Sequence, residues 1–312
     1  MEIESIAIVG TGVIGSSWAA FYAAKGHPVK MYDVDADQCR KGHQQAMGII
    51  EMLREQGVLS ADAVADAVGR ITTTSKLAQA VEGVQLVQEN AAENYAVKQQ
   101  VFEALDAVTA PDVVLASSSS GLLMTEIQKV TRYPGRCLIA HPFNPPHLIP
   151  LVELVPGEAT EDKTIAEMKR FYEAVGKVPV VLKKAVPGHI ANRLAMALWR
   201  EAVDLVVQGI ASVEDVDKAV CAGPGLRWAI MGPHLIYHLG GGEGGMDHFI
   251  DHFGPAVKIW WESMATWTTL PPETKQVLIA GLKKEMGDRS LAEINRLRDE
   301  KLCGLLKLIY DR

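Results

Sequence analysis

His141 is the residue of this chain best suited by type and surroundings to proton chemistry. It closes the apolar run Cys137-Leu-Ile-Ala and is followed by Pro-Phe-Asn-Pro145. An imidazole titrates near neutrality, so it can take a proton and return it within one reaction cycle. Glu153 follows 12 residues later, inside Pro150-Leu-Val-Glu-Leu-Val155. A carboxylate in an apolar strand is costly unless it has a partner. Paired with His141, it would orient the ring and stabilise its protonated form. Taken alone, His141 also suits a core histidine bonded to backbone. Four serines, Ser117 to Ser120, end another apolar run. They can bind a reacting oxygen, or merely cap the next helix, which would suffice for Ser117 to Ser119. Asn192, in Pro187-Gly-His-Ile-Ala-Asn-Arg193, offers an amide to a substrate oxygen, or is an exposed asparagine at a helix start.

Such side chains need strands to hold them. Ile6–Val9, Val29–Tyr32, Val84–Val87, Val113–Ala116, Cys137–Ala140 and Val178–Leu182 read as strands, with helical patterns such as Tyr95 to Val108 between them. Alternation of this kind predicts a Rossmann-like, doubly wound, mostly parallel sheet. Beyond Pro187 the pattern changes. Ile190 to Gly209 reads as one helix. Further helix starts are expected at Ser212–Asp215, Pro271–Glu273 and Ser290–Glu293, and the glycine cluster 240–245 reads as a loop. The expected division is 1–186 for the sheet domain and 187–312 for an all-helical domain.

Gly10-Thr-Gly-Val-Ile-Gly15 follows the first strand and opens a helix. Gly10 permits the turn, Gly12 admits a pyrophosphate, and Gly15 lets helix and strand pack closely. Val13 and Ile14 complete a helix N-terminus facing the phosphate charge. Asp33, 18 residues past Gly15, ends the second strand. A carboxylate there accepts bonds from ribose hydroxyls and repels a 2′-phosphate, so the expected cofactor is NAD rather than NADP. With strand C-termini facing the cofactor, Ser120 and His141 should emerge beside the nicotinamide. The chemistry is then hydride transfer from an alcohol, with His141 as base.

Composition excludes several other classes. Hydrophobic residues make up 48%, charged residues 22%, and the net charge is −7 without a long run of one sign, so no nucleic-acid partner is expected. Four scattered cysteines at 39, 137, 221 and 303 suggest a reduced compartment and no metal site. No signal peptide and no apolar run of about 20 residues is evident, so no membrane is expected and the expected location is cytoplasmic.

Together these motifs resemble the 3-hydroxyacyl-CoA dehydrogenase family over nearly the whole chain. The resemblance places Gly10 to Gly15 and Asp33 at its NAD site, and Glu93-Asn94 with Lys98 near the nicotinamide and substrate. It implies catalytic roles for Ser120, His141, Glu153 and Asn192. Within the family the chain is similar to the branch acting on free hydroxy acids, which includes lambda-crystallin (an L-gulonate 3-dehydrogenase) and the L-carnitine dehydrogenases. The segments 144–155, 225–232 and 240–253 carry that likeness. A free carboxylate calls for a cation, and Arg227, followed by Trp228, is the candidate clamp. Its alternative is an arginine packed on Trp228 or paired with an acid. The expected substrate is thus a small 3-hydroxy acid such as carnitine or gulonate, with an acyl-CoA thioester as the rival. A crystallin-like or NAD-sensing protein without turnover is the rival of another class. The lysine that 6-phosphogluconate and 3-hydroxyisobutyrate dehydrogenases use is absent from Gly188-His-Ile-Ala-Asn-Arg193. The tryptophan-rich helical domain is expected to form a homodimer.

Overall fold

The computed structural model describes residues 2–310. Eight strands form one sheet: β1 (Ile6–Val9), β2 (Val29–Tyr32), β3 (Ile71–Thr74), β4 (Leu86–Glu89), β5 (Val114–Ser117), β6 (Cys137–Pro142), β7 (Leu151–Pro156) and β8 (Val178–Val181). Their spatial order is β3-β2-β1-β4-β5-β6-β7-β8. Each pairing is parallel except β6 with β7. The doubly wound, mostly parallel sheet is therefore as the sequence predicts. Chain order reverses between β1 and β4. That is the switch point where such sheets open a crevice beyond their strand ends, and here Gly10 and Asn90 lie beyond β1 and β4.

Two features of the sheet escaped the hydrophobic pattern. β3 is an edge strand, Ile71-Thr-Thr-Thr74, in which only Ile71 is buried. Its threonines favour a strand conformation but give no apolar run. β4 starts later than the run Val84–Val87 implies and takes Gln88 and Glu89 into the sheet, both fully buried. Polar side chains survive there because each has partners. The Gln88 amide oxygen accepts from the Tyr172 hydroxyl at 2.9 Å and the Tyr22 hydroxyl at 3.3 Å, and its nitrogen donates to Ser118 Oγ at 2.8 Å. Tyr22 in turn stacks on Trp18, with ring centroids 4.9 Å apart. Both rings belong to the helix Val13–Ala24, which the glycine loop opens.

The described chain divides into two compact units. The first is Met1–Asn192 together with Asp299–Arg312; the second is Arg193–Arg298. Thus the 187–312 span expected for the helical domain is not one unit. The last helix, Leu291–Tyr310, ends in the first unit, because Leu302, Cys303 and Leu306 pack on Leu53 and Leu148. Helices begin close to where the sequence signals them. Ser212 caps Val213–Ala222 through the Asp215 amide. Ser290 and Glu293 exchange bonds in a capping box at the start of Leu291–Tyr310. The second unit has a small core of Val206, Val213 and Val216, with Ala202, Leu205, Val277 and Leu278 around it. No described helix is long and apolar enough to cross a membrane. All four cysteines are free thiols.

Leu148 lies on the connection between β6 and β7 and is 6% exposed. Leu148→Ala should lower stability by about 2–4 kcal/mol through the cavity left against Leu53 and the last helix. A urea midpoint unchanged from wild type would show that this connection is not held by that packing.

Candidate active site

The glycine loop is shaped by contacts as well as by its sequence. Gly10 has φ +87°, and a Cβ there would lie 2.7 Å from the Asn90 carbonyl carbon. One on Gly15 would lie 1.9 Å from the Gly10 oxygen. Around Gly12, by contrast, a Cβ would meet nothing within 4 Å. Gly12 is the N-cap of Val13–Ala24, which has no side-chain cap and no acid in its first turn. The amides of this helix start are therefore available to an anion. Asp33 Oδ2 accepts from the Thr11 amide at 2.8 Å and the Thr11 hydroxyl at 3.1 Å, so the acid also pins the loop. A cleft of about 520 Å³ runs past Gly10, Gly12, Asp33 and Val34 and is walled by Leu77, Val97 and Val101. An adenine nucleotide fits this chemistry: an apolar wall for the base, a carboxylate for the ribose, open amides for the pyrophosphate.

Beside the cleft, three of the four serines are spent on acceptors. Ser117 donates to Glu89, Ser118 to Asn90 and Ser119 to Glu93. The Ser119 oxygen also accepts the Leu122 amide, in the turn ahead of the helix Met124–Ile127, whose start has no side-chain cap, so the capping expected of these serines is not made there. Glu93 Oε1 accepts the amides of Ser120 at 2.8 Å and Gly121 at 3.1 Å. Lys98 lies beneath, 1% exposed. Its ammonium contacts Glu89 at 2.9 and 3.1 Å and the Ala91 carbonyl at 3.2 Å, with Glu93 3.6 Å away. Glu93 and Lys98 thus hold the turn that presents Ser120. Glu89 sits in a Gln-Glu-Asn run after the apolar pair Leu86-Val87, and nothing local to that run marks its carboxylate as buried. Ser120 itself is exposed, and no hydroxyl bond of its own is found among the described residues.

β6 and β7 set His141 directly opposite Glu153 in the antiparallel register. Opposed side chains on neighbouring strands meet, and His141 Nδ1 lies 2.8 Å from Glu153 Oε2. Glu153 is fully buried. Its other oxygen accepts the amides of Ile190 at 2.8 Å and Ala191 at 2.9 Å, at the start of the helix Ala191–Val207. Burial alone would raise the Glu153 carboxyl, yet the bonds from His141, Ala191 and Ile190 together hold it below its usual value. Asn192 Nδ2 donates to the Ser120 carbonyl at 2.9 Å. The first unit therefore brings Ser120 together with Asn192, and His141 with Glu153.

His189 was passed over in the sequence. It has φ +51°, is fully buried, and places Nε2 3.1 Å from the Ser119 carbonyl. Its ring centroid lies 5.3 Å from that of His141. In the second unit, Arg227 sits in the short helix Pro224–Trp228, and both Arg227 and Trp228 are exposed. Among the described residues Arg227 has neither an ion pair nor a cation–π contact with Trp228.

Residues 5–185 match the family described as 3-hydroxyacyl-CoA dehydrogenase, NAD binding domain, and residues 188–279 match its C-terminal domain. The L-carnitine dehydrogenase of Streptomyces coelicolor is 42% identical over 306 residues, covering 98% of this chain and 95% of that protein. The fold is similar to that of an NAD+-dependent dismutase, 5-formyl-3-hydroxy-2-methylpyridine 4-carboxylic acid 5-dehydrogenase. That likeness has a TM-score of 0.85 and 31% identity, with all of both chains covered. It is also similar to the 3-hydroxybutyryl-CoA dehydrogenase of Escherichia coli K12, with a TM-score of 0.72 and 25% identity, over 93% of this chain and 61% of that one.

Two tests follow from the buried charges. Lys98→Met leaves Glu89 buried without its cation and should cost about 3–5 kcal/mol, read from the urea midpoint; a loss under about 1 kcal/mol would count against the network. Because the folded-state affinity of Glu153 for its proton is depressed, its stabilisation is complete above the unfolded value, roughly 4.3. It fades as pH falls through the lower folded value. The stability advantage of wild type over Glu153→Gln should therefore be constant near neutrality and shrink in acid; an advantage that grows on acidification would contradict this.

Proposed function

The chain belongs to the 3-hydroxyacyl-CoA dehydrogenase family and is an NAD-dependent oxidoreductase of CH–OH groups; on that premise we propose that it oxidises a small free 3-hydroxy acid of the L-carnitine type to the 3-keto acid. The observation that carries the reading is the 2.8 Å contact of His141 Nδ1 with Glu153, which leaves Nε2 of the same ring without a hydrogen-bond partner among the described residues. NAD, when bound at the Gly10 loop, supplies the acceptor for the hydride from C3. His141 Nε2 takes the hydroxyl proton in that step. Glu153 stabilises the imidazolium and fixes the ring. Ser120 offers its hydroxyl to the reacting oxygen. Asn192 spends one amide hydrogen on the Ser120 carbonyl and keeps the other for the substrate. The same residues return the proton when a keto acid is reduced.

Support for a free acid comes from two sides. The Streptomyces relative is named for carnitine, and the dismutase for a pyridine carboxylic acid. Arg227 has no ion pair among the described residues, and its guanidinium is able to grip a carboxylate with two parallel bonds, whereas a neutral thioester has no use for that charge. A homodimer through the helical unit is part of the same proposal. Ile259, Trp260 and Trp261 are 65%, 57% and 70% exposed, more apolar surface than an isolated helix tolerates well in water. Sedimentation at micromolar concentration should give a dimer, and a monomer alone would remove that element.

NADH formation should appear with L-carnitine and be weaker or absent with L-gulonate, 3-hydroxybutyrate and 3-hydroxybutyryl-CoA. His141→Gln should cut turnover by at least ~100-fold and leave NAD binding intact. Arg227→Met should raise the KM for the acid by about tenfold or more and spare that for NAD. Turnover on the thioester alone would return the chain to acyl-CoA chemistry. NAD binding with no turnover on any of the four would favour a binding protein.

A further inference from the structure

The neighbour of the base is a second histidine in a costly conformation. His189 adopts a left-handed backbone, φ +51°, immediately after Gly188 at φ +76°. A non-glycine residue there carries strain of about 1 kcal/mol or more. Its Nε2 faces the Ser119 carbonyl at 3.1 Å. A carbonyl only accepts, so Nε2 carries the hydrogen and Nδ1 of the neutral ring carries the lone pair. That Nδ1 is buried and has no hydrogen-bond partner among the described residues. Strain and an unanswered acceptor thus coincide at one fully buried residue, whose ring lies 5.3 Å from His141 at an interplanar angle of 57°.

We propose that His189 is a positioning residue for the base: its neutral imidazole packs on the His141 ring, fixes that ring's pose, and favours the charged form that His141 takes on when it accepts the substrate proton. A neutral imidazole keeps a ring dipole beside an imidazolium, where an apolar ring offers none. Two charged imidazoles at this separation would repel, so the arrangement works only while His189 stays neutral. Burial does that, holding His189 below its ordinary value against the raising effect of the Ser119 carbonyl. The titratable groups facing it are His141 on β6 and Glu153 on β7. Glu93, across the Ser119 turn, is spent on Ser119, Ser120 and Gly121 and lies 3.6 Å from Lys98.

His189→Phe keeps a ring but removes the lone pair and the bond to Ser119. The titration of the His141 imidazole, followed by nitrogen-15 NMR of the full chain, should move down by about half a pH unit or more. The acid limb of kcat/KM should move the same way, and kcat should fall by about tenfold, with the KM for NAD unchanged. A His141 titration that is unmoved, or moves up, overturns the proposal. If the phenylalanine variant does not fold, His189→Asn serves. Asparagine tolerates the left-handed backbone and can donate to Ser119, but it gives up the ring packing, and the same titration decides. The effect on turnover rests on His141 being the base. The titration does not, so near-normal turnover of His141→Gln would remove that reading without deciding this one.

Discussion

The structure of this site depends on the burial of the Glu153 carboxylate. A fully buried carboxylate needs a partner for each oxygen, and here the partners come from two different places in the chain. One oxygen meets His141, the residue opposite on β6. The other collects the amides of Ile190 and Ala191. Those two amides are orphan donors at the start of a helix, which suits them to a negative charge. The same carboxylate that orients the His141 ring therefore also fixes where the helix Ala191–Val207 begins. Asn192 follows in its first turn and reaches the Ser120 carbonyl.

A second buried charge performs a parallel task on the other side. Glu89 ends β4 inside the sheet and is answered by Lys98, the Ser117 hydroxyl and the Ala91 amide. Glu93 then ties down Ser119, Ser120 and Gly121. Ser120 is the one serine of the four with a hydroxyl left for a ligand. A turn at a strand end is otherwise the least restrained part of such a sheet; here carboxylates replace the missing ladder. The polar groups around these strand ends thus divide into those that face outward and those that hold them. His189 lies where the two sets meet, bonded to the Ser119 turn and packed on His141.

Much of this was legible in the residues. The glycine loop, Asp33 and the alternation of apolar runs carry the doubly wound sheet and the cofactor class, because turn geometry and period are local properties of the chain. His141 and Glu153 stood out because a titratable group inside an apolar run must have a reason to be there. Local pattern was weakest where polar residues formed the element. β3 is threonine-rich, and Gln88 and Glu89 look like loop until their partners are seen. Those partners, such as Tyr172 and Lys98, lie outside the strand itself, and Tyr172 is 84 residues from Gln88.

By itself, the sequence determined the kind of sheet, the cofactor class and the residue types available for proton transfer, all of which follow from spacing within a few dozen residues. The tertiary structure decided which of them meet. One antiparallel pairing in an otherwise parallel sheet sets His141 against Glu153, and a one-residue change of register would turn the two side chains to opposite faces. The return of the last helix to Leu53 and Leu148, the spending of Lys98 on Glu89, and the contact between His189 and His141 are likewise pairings between distant segments. Burial creates the demand for such partners, and only the folded chain determines which residues meet it.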